Sequence, residues 1–396
     1  MERNGAAADR AWLGEEAAPP DERLRPVDDR LTASAALARL RRGEWLVYRG
    51  NFKNARQLLA ALGRRLQATT RGVPLDIFRA QRRAREREHE ILSRLLVELD
   101  AGGRLRLRDA ADVGEAVRWR WGEPREGLVP LRLLLGVVGA FEWYRRGVPV
   151  AGLHGKLHPR YGVFLPTRPE YPELAAAIPD PAGRVVFDVG AGTGVLGFLL
   201  LERGAARVIA TDVEPSAVAS ATEDARALGF EERFEARVGE LFPEGRADVV
   251  VCNPPWLPGE ARTALDRAVY DPGEGFLRGF VAGLRGHLAP GGAGYLFLSD
   301  FAERLGLRAR GTLEALAAEA GLTLEPLARA SPRHGRAQDS EDPLHALRSA
   351  EIVMLYRLAS AAQPDAQAEP EREDHRGDAD HESPGNAAGS GKGGLG

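Results

Sequence analysis

The stretch Asp188-Val-Gly190-Ala-Gly192-Thr-Gly194-Val-Leu-Gly197 follows the apolar run Val185-Val-Phe-Asp188 and opens a segment of helical spacing. Glycines in a strand-to-helix turn adopt conformations that other residues avoid. They also let the backbone approach a ligand and leave the helix N-terminus uncovered. About 20 residues beyond Gly192, Thr211-Asp212 ends the next β-branched run, where a carboxylate can accept both hydroxyls of a ribose. The pair points to an adenosine-containing cofactor. Gly192, Gly194 and Gly197 also spell the G-x-G-x-x-G string of nicotinamide enzymes. Asp188 separates the alternatives, because its charge would harm a phosphate-binding loop and would suit a cationic aminoacyl group.

Working outward, Val208 to Thr211, Phe234 to Val238, Asp248 to Cys252, Tyr295 to Ser299 and Ile352 to Tyr356 read as further strands. Helical segments fall between them, near 194–203, 215–228, 276–289 and 311–320. Such alternation predicts an α/β domain over 151–360, with a mainly parallel sheet covered by helices on both faces. Ligands in sheets of this type sit at the carboxyl ends of the strands.

Upstream of this region the pattern is helical. Phe52, Ala55, Leu58, Leu59, Leu62 and Leu66, then Ile91, Leu92, Leu95, Leu96 and Leu99, recur at three- and four-residue spacing. Val129 to Tyr144 reads as another helix and Arg104 to Arg108 as a short strand. Residues 31–150 are therefore expected to form a mainly helical domain, with 24 basic against 13 acidic residues. The net charge of the whole chain is only -3, so this surplus is local. It suits either an anionic partner or a compositional bias toward arginine. Residues 1–30 and 361–396 are rich in Ala, Pro, Gly and charge and read as disordered tails, the second one acidic.

The longest apolar run, Leu133 to Phe141, is far short of the roughly 20 residues of a membrane helix. The acidic N-terminal stretch lacks the apolar core of a signal peptide, so a cytoplasmic location is expected. A single cysteine, Cys252, excludes an intramolecular disulfide and fits a reducing compartment.

Cys252-Asn253-Pro254-Pro255-Trp256 follows the fourth strand and so emerges at the same sheet edge as the glycine loop. Proline removes an N–H donor, which leaves nearby carbonyls and the Asn253 side-chain oxygen free to accept hydrogen bonds. Two such acceptors hold an NH2 group by its hydrogens and aim its lone pair outward. Trp256 offers a face for stacking on a flat amide or base.

With both motifs in place, the chain resembles the class I S-adenosylmethionine-dependent methyltransferases, which have a Rossmann-like fold. Within them it is similar to the branch whose fourth-strand motif reads Asn-Pro-Pro-aromatic. That branch includes the PrmC/HemK enzymes, which methylate a glutamine amide in release factors, and enzymes acting on exocyclic amines of bases in RNA or DNA. The resemblance implies that Asp188, Gly190, Gly192 and Gly194 form the donor loop, that Asp212 meets the ribose, and that Glu240 and Leu241 flank the adenine. Asn253, Pro254, Pro255 and Trp256 would line the acceptor slot. Phe164-Leu-Pro-Thr-Arg168-Pro-Glu170 is similar to the segment preceding the first strand in PrmC/HemK enzymes, with an extra residue, Thr167.

The expected activity is transfer of a methyl group to a planar NH2 of a macromolecule, either a protein or a nucleic acid. A nicotinamide-dependent oxidoreductase and a noncatalytic nucleic-acid-binding module that retains the fold are the alternatives. His154 and His158 are expected to pack in a loop, Cys252 to be a small buried residue, and Trp119 and Trp121 to belong to a core. No metal-ligand spacing is present around His334 and His345.

Overall fold

The computed structural model describes residues 11–67, 71–164, 168–261, 263–333 and 335–361. The expected acidic tail lies outside them, apart from Ala361. Helices α1 (Ala33–Arg41), α2 (Phe52–Leu66), α3 (Pro74–Leu92), α4 (Gly114–Trp121) and α5 (Leu131–Arg146) make up most of residues 31–150. Local chemistry starts them. The Thr32 hydroxyl accepts from Ala35 N at the head of α1, Asn51 does the same for Lys53 N at α2, and Pro74 opens α3, where its missing N–H costs nothing.

These helices accompany a sheet that the sequence did not suggest. Strands β1 (Ala11–Trp12), β2 (Leu24–Val27), β3 (Trp45–Tyr48), β4 (Leu95–Leu99) and β5 (Gly127–Pro130) pair in the order β1-β5-β4-β3-β2. Two expectations are thereby corrected. Residues 11–30 are not a disordered tail, since β1 and β2 lie within them. Leu95 to Leu99 is a strand and not the end of a helix. All five of its residues are buried, and a run apolar on both faces cannot be told from a buried helix by periodicity. Arg104 to Arg108 forms no strand of its own and makes isolated bridges through Leu105 and Arg108.

The second sheet contains β6 (Val185–Val189), β7 (Arg207–Asp212), β8 (Phe234–Val238), β9 (Ala247–Cys252), β10 (Leu288–Ser299), β11 (Leu322–Ala330) and β12 (Val353–Ser360). Its order is β8-β7-β6-β9-β10-β12-β11. All pairs are parallel except those of β12, which runs antiparallel to β10 and β11. β11 escaped the sequence reading because Pro326 and alternating charge interrupt it, and the pairing register shifts there.

Helices α6 (Glu170–Ala176), α7 (Val195–Glu202), α8 (Pro215–Ala227), α9 (Gly275–His287) and α10 (Thr312–Glu319) surround this sheet. Every residue of α7 from Val195 to Leu201 is buried. On α9, Leu277, Phe280, Val281 and Leu284 are fully buried at helical spacing. Each such side chain contributes about 1.5–3 kcal/mol, which fixes the helix against β9 and β10. Neighbours β6 and β9 are where the strand order reverses, and both carboxyl ends open on one edge. The described residues from 11 to 361 belong to a single compact unit. Among the described residues, no helix is long and apolar enough to cross a membrane.

Candidate cofactor and acceptor site

The turn after β6 needs its glycines. Gly190, Gly192 and Gly194 have φ of +69°, +55° and +76°, where a side chain is strained. A Cβ on Gly194 would also stand 2.9 Å from the Phe198 ring, and one on Gly197 2.9 Å from Val208 Cγ1. At Gly192 a Cβ would meet nothing within 4 Å, so the loop borders open space there.

Two carboxylates brace the turn. Asp188 Oδ2 accepts from Gly197 N at 2.9 Å inside α7. Asp212 Oδ2 accepts from Gly192 N at 2.8 Å, and its Oδ1 accepts from Glu214 N at 2.9 Å. Burial pushes the Asp188 carboxyl up to about 7, against the opposing hydrogen bond from Gly197 and with a further push from Asp212. Burial also raises Asp212. Acids held in this way are poised to pair with cationic or hydroxyl groups brought by a ligand.

One cavity of about 310 Å³ joins this turn to the end of β9. Asp188, Gly190, Gly192, Asp212 and Glu240 line it together with Asn253, Pro254, Pro255 and Trp256. The structure thus brings together most of the residues singled out from sequence. Gly194 stands at the head of α7 and is not among the lining residues. Leu241, expected beside the adenine, is not among the residues lining this cavity. Its side chain packs on α9 at Gly279, and its carbonyl accepts from the Thr211 hydroxyl.

Asn253 and Trp256 are arranged differently from expectation. The Asn253 oxygen is not free, because it accepts from Trp256 Nε1 at 3.0 Å; that N–H is shared with Phe297 O at 3.2 Å. The Arg168 guanidinium lies over the Trp256 ring, 4.7 Å from its centre, and covers a face expected to be open. Tyr171 meets the same ring edge-on. Arg168, Tyr171, Arg267, Phe276, Phe301, Arg348 and Glu351 complete the wall. Only the segment holding Arg168 gave a signal in the sequence. Phe301, Arg348 and Glu351 arrive from beyond β10 and before β12, too far along the chain for any local pattern to connect them.

Residues expected to be inert fall outside the cavity. His154 Nδ1 contacts Glu202 Oε1 at 2.5 Å, and His158 is held by Asp224 through its backbone and by Tyr144 O through its ring. Cys252 is fully buried, and burial raises its thiol well above the usual range. Trp119 packs against Phe141 and Tyr144. No metal-binding cluster occurs among the described residues, and His334 lies outside them.

Residues 172–279 match the family model of the methyltransferase small domain. The chain is 40% identical over 144 residues to a release factor glutamine methyltransferase of Cereibacter sphaeroides, covering 32% of this chain and 51% of the relative. It is 40% identical over 74 residues to a ribosomal protein L11 methyltransferase of Alteromonas mediterranea, covering 19% and 25%. The chain therefore spans about half the length of the first relative and a quarter of the second. A crystal structure of ribosomal protein L11 methylase from Lactobacillus delbrueckii aligns at 18% identity and a TM-score of 0.33, covering 48% of this chain and 77% of that one. That alignment is too loose to carry weight. The matched segment holds the glycine turn, Asp212 and the Asn253 motif, and it is this part of the chain that is similar to the methyltransferase small domain.

Proposed function

We propose that this chain transfers a methyl group from S-adenosylmethionine to a planar NH2 of a macromolecule, either a protein glutamine amide or an exocyclic base amine of RNA or DNA. The observation that carries this reading is the single cavity shared by the glycine turn and Asn253–Trp256. The bound sulfonium compound supplies the electrophilic methyl group. Asp188 faces a cationic aminoacyl end, Asp212 offers its oxygens to ribose hydroxyls with Glu240 flanking the adenine, and the open space beside Gly192 admits the ligand close to the backbone.

Asn253 does the aiming. Its oxygen is held by the Trp256 N–H and keeps a second lone pair for the acceptor NH2. Pro254 and Pro255 present no N–H that would compete for neighbouring carbonyls. A planar NH2 needs no strong base before attack, so orientation is the main contribution of the protein, with a ceiling of about 7–11 kcal/mol. A nicotinamide enzyme would leave Asn253–Trp256 without a role, and a noncatalytic module would not need both halves of the cavity. In this reading residues 151–360 are catalytic, and the first sheet with its helices recognises the acceptor. A cytoplasmic location belongs to the same reading and rests on the single cysteine.

Titration calorimetry tests the cofactor. S-adenosylhomocysteine should bind and NAD should not; NAD binding without any response to the sulfonium compound or its product would overturn the assignment. Labelled donor added to extract of a deletion strain should then mark a macromolecule.

The raised Asp188 carboxyl gives this binding a pH dependence. Its folded value, near 7, lies above the ordinary 3.8, so between these values the folded chain holds a proton that the unfolded chain has lost. This group's contribution to stability therefore falls as pH rises through that window. Donor affinity should move the opposite way, increasing from pH 6 to 8 as Asp188 ionises and pairs with the aminoacyl cation. Asp188→Asn should flatten the profile, and an unchanged profile in that variant would remove Asp188 from the donor site.

A further inference from the structure

We propose that the arginine face of α3 is a docking surface for a single nucleic-acid strand, which it delivers to the acceptor end of the cavity. This rests on the function proposed above and names the acceptor class. Three observations carry it.

The first is a row of uncompensated charge. Arg79, Arg83 and Arg87 recur every four residues along α3 and are exposed. Residues so spaced share one face of a helix and stand about 6 Å apart along it, comparable to neighbouring phosphates in a strand. The three glutamates of α3 are already committed to other arginines: Glu86 to Arg82 at 3.3 Å, Glu88 to Arg132 at 3.4 Å and Glu90 to Arg94 at 2.8 Å. Asp76, in the first turn, is the remaining acid of the helix. Among the described residues, Arg79, Arg83, Arg85 and Arg87 make no ion pair.

The second is that α3 is fixed to the cavity rim. Ile77 and Phe78 share a buried cluster with Leu257, Tyr270, Phe301, Leu305 and Leu344. Leu257 and Phe301 also line the cavity. Arg82 lies over the Tyr270 ring at 4.1 Å and donates to Glu260 O. Whatever binds the outer row is therefore held at a set distance from Asn253.

The third is the charge on the cavity wall. Arg348 lines the cavity and lies over the Phe301 ring at 5.0 Å. Arg348 Nε and Arg336 Nη2 both contact one carboxylate oxygen, Asp342 Oδ2, at 3.1 Å. The charge of Arg85, on α3, also disfavours the charged form of Arg348. Two guanidinium groups thus share Asp342, and Glu351 lies on the same cavity wall as Arg348. A base turned out of its strand into the slot would bring its own phosphates toward these arginines. A glutamine on a neutral peptide loop would close over those arginines without supplying a counter-charge, which favours the strand over the peptide.

The test uses the full-length chain and fluorescein-labelled 20-mer single strands, one RNA and one DNA, read by anisotropy. At least one should bind at 50 mM salt and weaken steeply by 200 mM, and the two arms identify which sugar is preferred. Arg79→Glu/Arg83→Glu/Arg87→Glu should weaken binding tenfold or more. It should also reduce the slope of log affinity against log salt by about 2, since each contact on a single strand contributes roughly 0.7. Arg85→Glu should weaken binding independently. S-adenosylhomocysteine affinity and the melting temperature should stay the same in both variants, which separates failure here from failure of the methyltransferase reading. The proposal is overturned by absence of binding at 50 mM salt, by unaltered affinity in the triple variant, or by label found in protein and in neither RNA nor DNA when an intact extract is labelled and then fractionated.

Discussion

Asn253→Ala should lower methyl transfer at least a hundredfold, about 3 kcal/mol, while donor affinity stays within a few-fold of the parent. The change removes the oxygen that orients the acceptor NH2, an interaction that matters most when the nitrogen attacks. The surroundings should survive it, because Trp256 Nε1 also donates to Phe297 O at 3.2 Å and so is not left buried without a partner. β9 should persist as well, since Val249, Val250, Val251 and Cys252 are buried independently of the asparagine side chain. Single-turnover methylation combined with calorimetry of S-adenosylhomocysteine separates the two effects. Near-normal turnover, or activity lost only through lost donor binding, would make Asn253 structural and remove the main support for an NH2 acceptor.

Asp212→Ala should weaken donor binding by about 1.5–3 kcal/mol, roughly tenfold to a hundredfold, through two connected losses. Its carboxylate would no longer meet the ribose, and Gly192 N and Glu214 N would lose the acceptor that ties the glycine turn to the end of β7. The second loss should appear without ligand, as a lower melting temperature and faster amide exchange at Gly192. Asp212→Asn retains one side-chain oxygen and should fall between parent and Ala. Unchanged S-adenosylhomocysteine affinity in Asp212→Ala would place the ribose elsewhere, with Glu214, another lining carboxylate, the next residue to test.

How legible the chain was depended on how local each signal is. The glycine turn, Asp212 and Asn253–Trp256 could be read directly, because a strand, a tight turn and a helix occupy consecutive residues and only certain side chains tolerate that geometry. The parallel sheet followed from the same alternation. Buried strands among helices were less legible. Leu95 to Leu99 is apolar except at Glu98, with apolar residues on both faces, so nothing in its period separates it from the end of α3, and its strand character comes from pairing with β3 and β5. Residues 11–30 look like a tail by composition, and pairing of β1 with β5 and of β2 with β3 gives them structure.

By itself the sequence determined the fold of the catalytic region, the turn that borders the cofactor cavity and the motif at its far end, since these depend on neighbours within a few residues. Only the tertiary structure decided what surrounds them. It turned Leu241 away to α9, laid Arg168 across Trp256, occupied the Asn253 oxygen with an indole N–H, and brought Arg336 and Arg348 to one carboxylate. Arg168 and Trp256, and Leu241 and Gly279, are tens of positions apart, and even the nearer pairs depend on side-chain placement that forms because helices and strands bury their apolar faces together. Burial of that kind selects partners by shape across the whole fold and leaves no periodic trace along the chain.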